Sequence, residues 1–244
     1  MDPSAYDRMA ALQADHWWFA ARRRIIRDQV RRMDLPENAV ILDAGCGPGA
    51  NLAMLSEFGD VTGMEMDGGA RAYAQKTGLK VLDGHLPDGA PFAPESFDLI
   101  GAFDVIEHIE DDQGAVAGIQ TLLKPGSAFL ATVPANPWMW STHDTHHHHF
   151  RRYTKASLTK LIEGAGFEIE RMTYFNTFLY PVAAAVRLTR NTFSASDRDA
   201  SDDRMPSAPV NTVLKTIFSA ELPVLSVIDL PFGVSLMVKA RRGA

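Results

Sequence analysis

Two stretches of the 244-residue chain carry residue types at spacings that can do chemistry. In VILDAGCGPGANL, residues 40–52, Gly45, Gly47 and Gly49 let the backbone turn sharply after an apolar strand and approach a ligand without side-chain obstruction. Asp43 stands at the mouth of that strand, where its carboxylate can order the loop or accept from an ammonium group. Glu65 ends the next apolar run, DVTGMEMD, and Asp83 ends a third, LKVLDG. Acids at successive strand ends suit a ribose and an adenine amine in one crevice. Ala50 occupies the place of the last glycine of a G-x-G-x-x-G loop, so the spacing departs from the dinucleotide pattern. The alternative is that Asp43 caps a helix and Glu65 lies on the surface.

The second stretch is divided. DVIEHI begins at Asp104, and STHDTHHHHFRRYT, residues 141–154, holds five of the eight histidines. Residues 150–244 follow with globular patterning, so the histidine run belongs to the protein and is no terminal handle. Asp104, Glu107 and His108 fall within little more than one helical turn, with Asp104 and His108 expected on one face. His143, His146 and His149 can bring imidazoles to that half-site, which gives Asp104, Glu107, His108 and His149 as a ligand set for zinc or another divalent ion. The other reading is an acid–base lip, in which His108 or His143 accepts a substrate proton near neutral pH and His147 and His148 are passengers. Arg151 and Arg152 can clamp a carboxylate or phosphate, with Tyr153 orienting an oxygen. Alternatively they pin the loop through Asp144 or Glu107.

Elements must position these groups. After the first three strands, FDLIGAFD and GSAFLATVP read as a fourth and fifth, with helical spacing between most of them. That alternation implies a mostly parallel sheet covered on both faces. A sixth strand follows in GFEIERMTYF and a last one in FGVSLMVKAR. HWWFAARRRIIRDQVRRM, residues 16–33, reads as a basic amphipathic helix in an N-terminal cap, 1–37, with the remaining domain spanning 38–244. Arg22, Arg23 and Arg24 read as a wet helix face. Between the last strands an insertion, 176–231, has two apolar segments around a polar stretch expected to be mobile. Charges and prolines interrupt both segments, so neither spans a membrane. They fit a lid, a homodimer contact or a peripheral lipid contact. Trp17, Trp18, Trp138 and Trp140 either stack on an apolar substrate or pack the lid.

Composition narrows the classes. A net charge of -6 supplies no broad basic field, which favours a small-molecule substrate over nucleic acid. A single cysteine, Cys46, excludes an intrachain disulfide framework, and the N-terminal residues lack the apolar run of a signal peptide, so the expectation is a cytoplasmic protein.

The ordered series LDAGCGPG, VTGMEMD, FDLIGAFDVIEHI and LLKPGSAFLATVP resembles the motifs of class I S-adenosylmethionine-dependent methyltransferases, over roughly residues 38–173 and again at the final strand. HWWFAARRRII, PANPWMWSTHD, RRYT and PFGVSLMV are similar to a bacterial small-molecule subgroup that resembles methyltransferase type 11 domains. The resemblance implies a Rossmann-like, doubly wound, seven-stranded sheet and S-adenosylmethionine as cofactor. By resemblance the cofactor site comprises Asp43, Gly45, Cys46, Gly47, Gly49, Glu65, Met66, Asp83, Gly84 and Phe103. In that reading the glycines pass the methionine part, Glu65 takes the ribose hydroxyls and Asp83 faces the adenine. Asp104, His108, His143 and Tyr153 are then the candidate catalytic groups beside the methyl. Ubiquinone-pathway and small-RNA members carry a similar glutamate-x-x-glutamate-histidine signature that uses a divalent metal, and here Asp104 replaces the first glutamate. A catalytically inactive cofactor-binding partner or scaffold would share every cofactor residue.

Overall fold

The strand signals assemble into one seven-stranded sheet. A computed structural model describes residues 12–192 and 205–243. The strands are β1 (Ala39–Ala44), β2 (Gly59–Met64), β3 (Lys80–Leu82), β4 (Phe97–Phe103), β5 (Leu123–Pro134), β6 (Phe167–Phe175) and β7 (Ser235–Arg242). Their order is β3-β2-β1-β4-β5-β7-β6, and β7 alone runs antiparallel to its neighbours. The direction of winding reverses between β1 and β4, which opens a crevice at their carboxyl ends. Pairing of Asp43 with Gly63 and Gly101, and of Phe103 with Thr132, brings the glycine turn, the end of β2 and the DVIEHI segment to that edge.

The sheet is covered on both faces because its central strands are apolar throughout. On one face Ala115, Val116 and Ile119 of α2 (Asp112–Leu122) and Leu158 and Ile162 of α3 (Lys155–Gly164) pack against Leu42, Ile100 and Phe129. Helix α3 starts at a reciprocal cap between Thr154 and Ser157, which satisfies amide groups left open by the first turn. On the other face α1 (Trp17–Arg31) lays Ala21, Ile25, Ile26 and Val30 against Ile41, Leu99 and Leu130. The insertion supplies α4 (Tyr180–Thr192) and α5 (Ala208–Ser219), and α5 docks on α1. The Trp17 amide donates to Asn211 Oδ1 at 2.7 Å, and the Trp17 and Phe218 rings meet edge to face at 6.0 Å. Residues 1–11 of the expected cap, residues 193–204 of the expected mobile stretch and residue 244 lie outside the described residues.

Two local expectations fail. The helix after the glycine turn shrinks to Leu52–Leu55. The DVIEHI segment is not α-helical: Asp104 has a left-handed φ of +57°, and only Ile106–His108 form a 3-10 turn. Asp104 and His108 therefore do not share a helix face.

Candidate active site

The crevice begins with backbone geometry. Gly45 has φ +70°, and a Cβ there would sit 2.8 Å from Val105, so both conformation and space select glycine. A Cβ on Gly47 would meet nothing within 4 Å, but its φ of +54° still disfavours a side chain. Glu65, just past β2, ties this turn down: one oxygen accepts from the Gly47 amide at 2.9 Å and the other from the Asp67 amide at 2.8 Å. Asp83, past β3, is exposed and pairs with Arg71 at 3.0 Å. Between these acids Met66 is 69% exposed, an apolar surface at the crevice mouth. Asp43 is buried with one oxygen lacking a protein partner. Burial pushes its carboxyl up to about 7, with Arg22 pulling it down and Glu65 adding to the rise.

Arg22 is the residue that sequence reasoning missed. It is 4% exposed, not a wet-face arginine, and its guanidinium meets Asp104 at 2.5 Å and donates to Thr132 Oγ1 at 3.2 Å. The Trp18 ring lies 4.9 Å from its centre and Phe103 5.9 Å. A buried guanidinium is tolerated only with such partners, yet Nε still has none. The signal was available: Trp18, Arg22 and Ile26 are spaced by four, which puts Arg22 on the apolar face.

Beside this crevice lies a second pocket. Glu107 is fully buried, and among the described residues neither carboxylate oxygen has a hydrogen-bond partner. Burial raises its carboxyl well above the ordinary range, and Asp104 adds to the rise. Ligand atoms of Glu107, His108 and His149 lie within 4.8 Å of one another. Burial, reinforced by His149, lowers His108 to about 4, so its imidazole is neutral at physiological pH. His149 donates through Nδ1 to Asp144 at 2.9 Å, because an ionised carboxylate can only accept. Burial opposes the Asp144 charge, but hydrogen bonds from His149 and Arg152 hold its carboxyl below the usual range. Arg152 reaches Asp144 at 2.7 Å and the Ala135 carbonyl at 3.1 Å. His143 packs on His147 at 4.3 Å between ring centroids, and both rings lie 6.1 Å from His149, which meets His108 at 4.6 Å.

A family profile described as a methyltransferase domain matches residues 18–171. The chain belongs to that family. A probable S-adenosylmethionine-dependent methyltransferase of Mycolicibacterium smegmatis is 29% identical over 164 residues, covering 65% of this chain and 62% of that protein. A ubiquinone biosynthesis O-methyltransferase of Photorhabdus laumondii is 32% identical over 108 residues, covering 41% and 45%. The chain thus spans less than two thirds of the length of these relatives. Among solved structures, a complex of the Haloferax volcanii Trm112 methyltransferase activator with a putative methyltransferase aligns with TM-score 0.64 and 18% identity, covering 99% of this chain and 95% of that one. The fold is therefore the Rossmann-like, seven-stranded one, with its N-terminal helix and an insertion before the last strand.

Within this methyltransferase-domain chain, several expected residues stand differently from the sequence reading. Asp104 lies outside the Glu107, His108 and His149 group, because its left-handed backbone and the 3-10 turn leave its carboxylate on Arg22. His147, expected to be a passenger, joins the ring cluster, whereas His146 is exposed. Cys46 turns its sulfur into the core, 2.8 Å from where a Cβ on Gly63 would be, so only its backbone faces the turn. Gly84 is buried, and a Cβ there would strike Pro91 at 2.6 Å. Tyr153 is buried with its hydroxyl donating to Asp112 at 2.9 Å, and burial pushes it above its ordinary range. Arg151 also binds Asp112, at 2.6 Å, and Arg152 is committed to Asp144. Both arginines pin the loop through these carboxylates. Trp17 packs on Phe218 of α5, while Trp138 is 44% exposed near Tyr180.

Proposed function

We propose that this chain transfers the methyl group of S-adenosylmethionine to a small, apolar or lipid-like acceptor. The observation that carries the reading is the buried Arg22 and Asp43 beside the glycine turn, each with a polar atom that lacks a protein partner. A donor and an acceptor in that position match the carboxylate and ammonium of an amino-acid moiety. Glu65 would take the ribose hydroxyls, and Asp83 with Met66 would border the adenine. Bound there, the cofactor supplies an electrophilic sulfonium methyl. The chain then has to align the acceptor, exclude water and accept a proton.

His149 suits the last task. Asp144 holds Nδ1 in the donor state, which leaves Nε2 free to accept, and Arg152 holds Asp144. His108, lowered to about 4, is a weak proton acceptor at neutral pH and serves better to position or ligate. An apolar acceptor is supported by the exposed Trp138 and Phe150 and by the similarity to ubiquinone-pathway methyltransferases.

A second reading is favoured by the Glu107, His108 and His149 group, whose carboxylate and two imidazoles fit a divalent ion. Such an ion would bind adjacent acceptor oxygens. The deciding experiment incubates the purified protein and methyl-labelled S-adenosylmethionine with an organic extract of the host cells. Label entering the extract supports transfer, and its loss on chelation with recovery on adding magnesium or zinc supports the metal-assisted form. No labelled product from a protein that still binds S-adenosylhomocysteine would overturn transfer in favour of a binding partner or scaffold.

A further inference from the structure

Helix α1 brings Arg22 to the crevice, but the insertion helps to fix where α1 begins. Residues 12–15 are helical, the chain extends at His16, where ψ is 135°, and α1 starts at Trp17. Such a break leaves carbonyls of the preceding turn and amides of the following one to find partners elsewhere. Arg23 takes the Gln13 and Ala14 carbonyls from within α1. Across the break itself reaches one side chain of α5. Asn211 accepts from the Trp17 amide through Oδ1 at 2.7 Å and donates through Nδ2 to the Asp15 carbonyl at 2.9 Å. Asn211, Leu214 and Phe218 are spaced by three and four, which puts them on one face of α5, and Leu214 and Phe218 pack in the same core cluster as α1. The bridging amide thus stands on the face by which α5 docks.

What this fixes lies close to the crevice. Trp18 belongs to the first turn of α1, and its ring lies 4.9 Å from the centre of the Arg22 guanidinium. Asp104 at 2.5 Å and Thr132 at 3.2 Å hold the same guanidinium from the sheet side. The far half of α1 has a tether of its own. Arg171 of β6 donates to Gln29 Oε1 at 2.9 Å and to the Leu225 and Ile228 carbonyls at 2.7 and 3.0 Å. Loss of Asn211 would therefore loosen the first turn while Gln29 stays tied to the sheet.

We propose that Asn211 is a positioning residue for the cofactor: from α5 it fixes the first turn of α1 and, through it, the Arg22 guanidinium that meets the amino-acid end. The proposal rests on the assignment of Arg22 to the cofactor carboxylate made above. Asn211 acts on that end alone, because Glu65 and Asp83 stand past β2 and β3 and are not carried by α1.

The test is calorimetric titration of the full chain with S-adenosylhomocysteine and with 5′-methylthioadenosine, which keeps the adenosine but lacks the carboxylate and ammonium. Asn211→Leu nearly keeps the side-chain volume and removes both hydrogen bonds. It should weaken S-adenosylhomocysteine roughly fivefold to tenfold and methylthioadenosine by less than roughly twofold. Arg22→Lys keeps a cation beside Asp104 but loses the guanidinium fork, and should show the same selectivity with a loss of roughly tenfold or more. Asn211→Asp keeps an acceptor for the Trp17 amide, where the helix dipole favours a carboxylate, and should recover affinity to within roughly twofold of wild type. Equal losses of both ligands in Asn211→Leu would overturn the proposal, because a merely structural role moves both. So would an unchanged S-adenosylhomocysteine affinity in that variant, or a loss that Asn211→Asp does not recover. A selective loss in Arg22→Lys without one in Asn211→Leu would overturn the proposal and leave the Arg22 assignment standing. Equal losses in Arg22→Lys would remove that assignment and the proposal with it.

Discussion

The crevice at the glycine turn and the histidine pocket share one sheet edge but are built by different means. In the crevice, geometry comes from the backbone: left-handed glycines, strand ends in register, and Glu65 holding the Gly47 amide. In the pocket, geometry comes from buried charge: Arg152 and His149 on Asp144, and Glu107 enclosed without a hydrogen-bond partner among the described residues. A backbone-built site tolerates side-chain change as long as the turn is kept. A charge-built site fails when one partner goes, because the survivor stays buried and uncompensated.

The largest expected effect comes from breaking that charge network. Asp144→Ala strands the Arg152 guanidinium and should lower stability by about 3–5 kcal/mol, read from denaturant unfolding. In the crevice, Gly45→Ala must both strain the turn and push Val105 aside, which should lower stability by about 1–3 kcal/mol and abolish detectable S-adenosylhomocysteine binding. Glu65→Ala leaves the core untouched and removes acceptors worth about 1.5–3 kcal/mol, so affinity should fall roughly tenfold to a hundredfold in a calorimetric titration.

The next contrast is in pH. Because burial raises Asp43 to about 7, its contribution to the stability of the free protein is present below the ordinary carboxyl range and is lost as pH rises toward 7. A bound ammonium favours the ionised form, so S-adenosylhomocysteine affinity should improve between about pH 6 and about pH 8. Asp43→Asn should flatten both trends, and a wild-type profile that is already flat would show that Asp43 does not meet the ammonium. At the small end, His146→Ala should change stability by less than about 0.5 kcal/mol and leave the ring cluster intact.

The same contrast explains what was legible in the sequence. Glycines at 45, 47 and 49, strand-end acids and alternating apolar runs are local signals, and the fold and the crevice follow from them. Spacing from Trp18 and Ile26 puts Arg22 on the apolar face, but its partners Asp104 and Thr132 are strand-end residues far along the chain that this spacing does not reveal. Asp104 and His108 were read onto one helix face because sequence spacing does not reveal a left-handed residue outside glycine. In the histidine run, identical side chains gave no local basis for separating His147 from His146. The short helix Thr142–His146 and the left-handed His148 decide which rings turn inward.

The central claim is that the crevice holds the cofactor and the histidine pocket serves the acceptor. It is tested most directly by titrating S-adenosylhomocysteine into wild type, Glu65→Ala and His149→Ala in parallel. The account expects micromolar binding by wild type, a clear loss in Glu65→Ala and an unchanged affinity in His149→Ala. Absent binding by wild type, or equal losses in both variants, would contradict it.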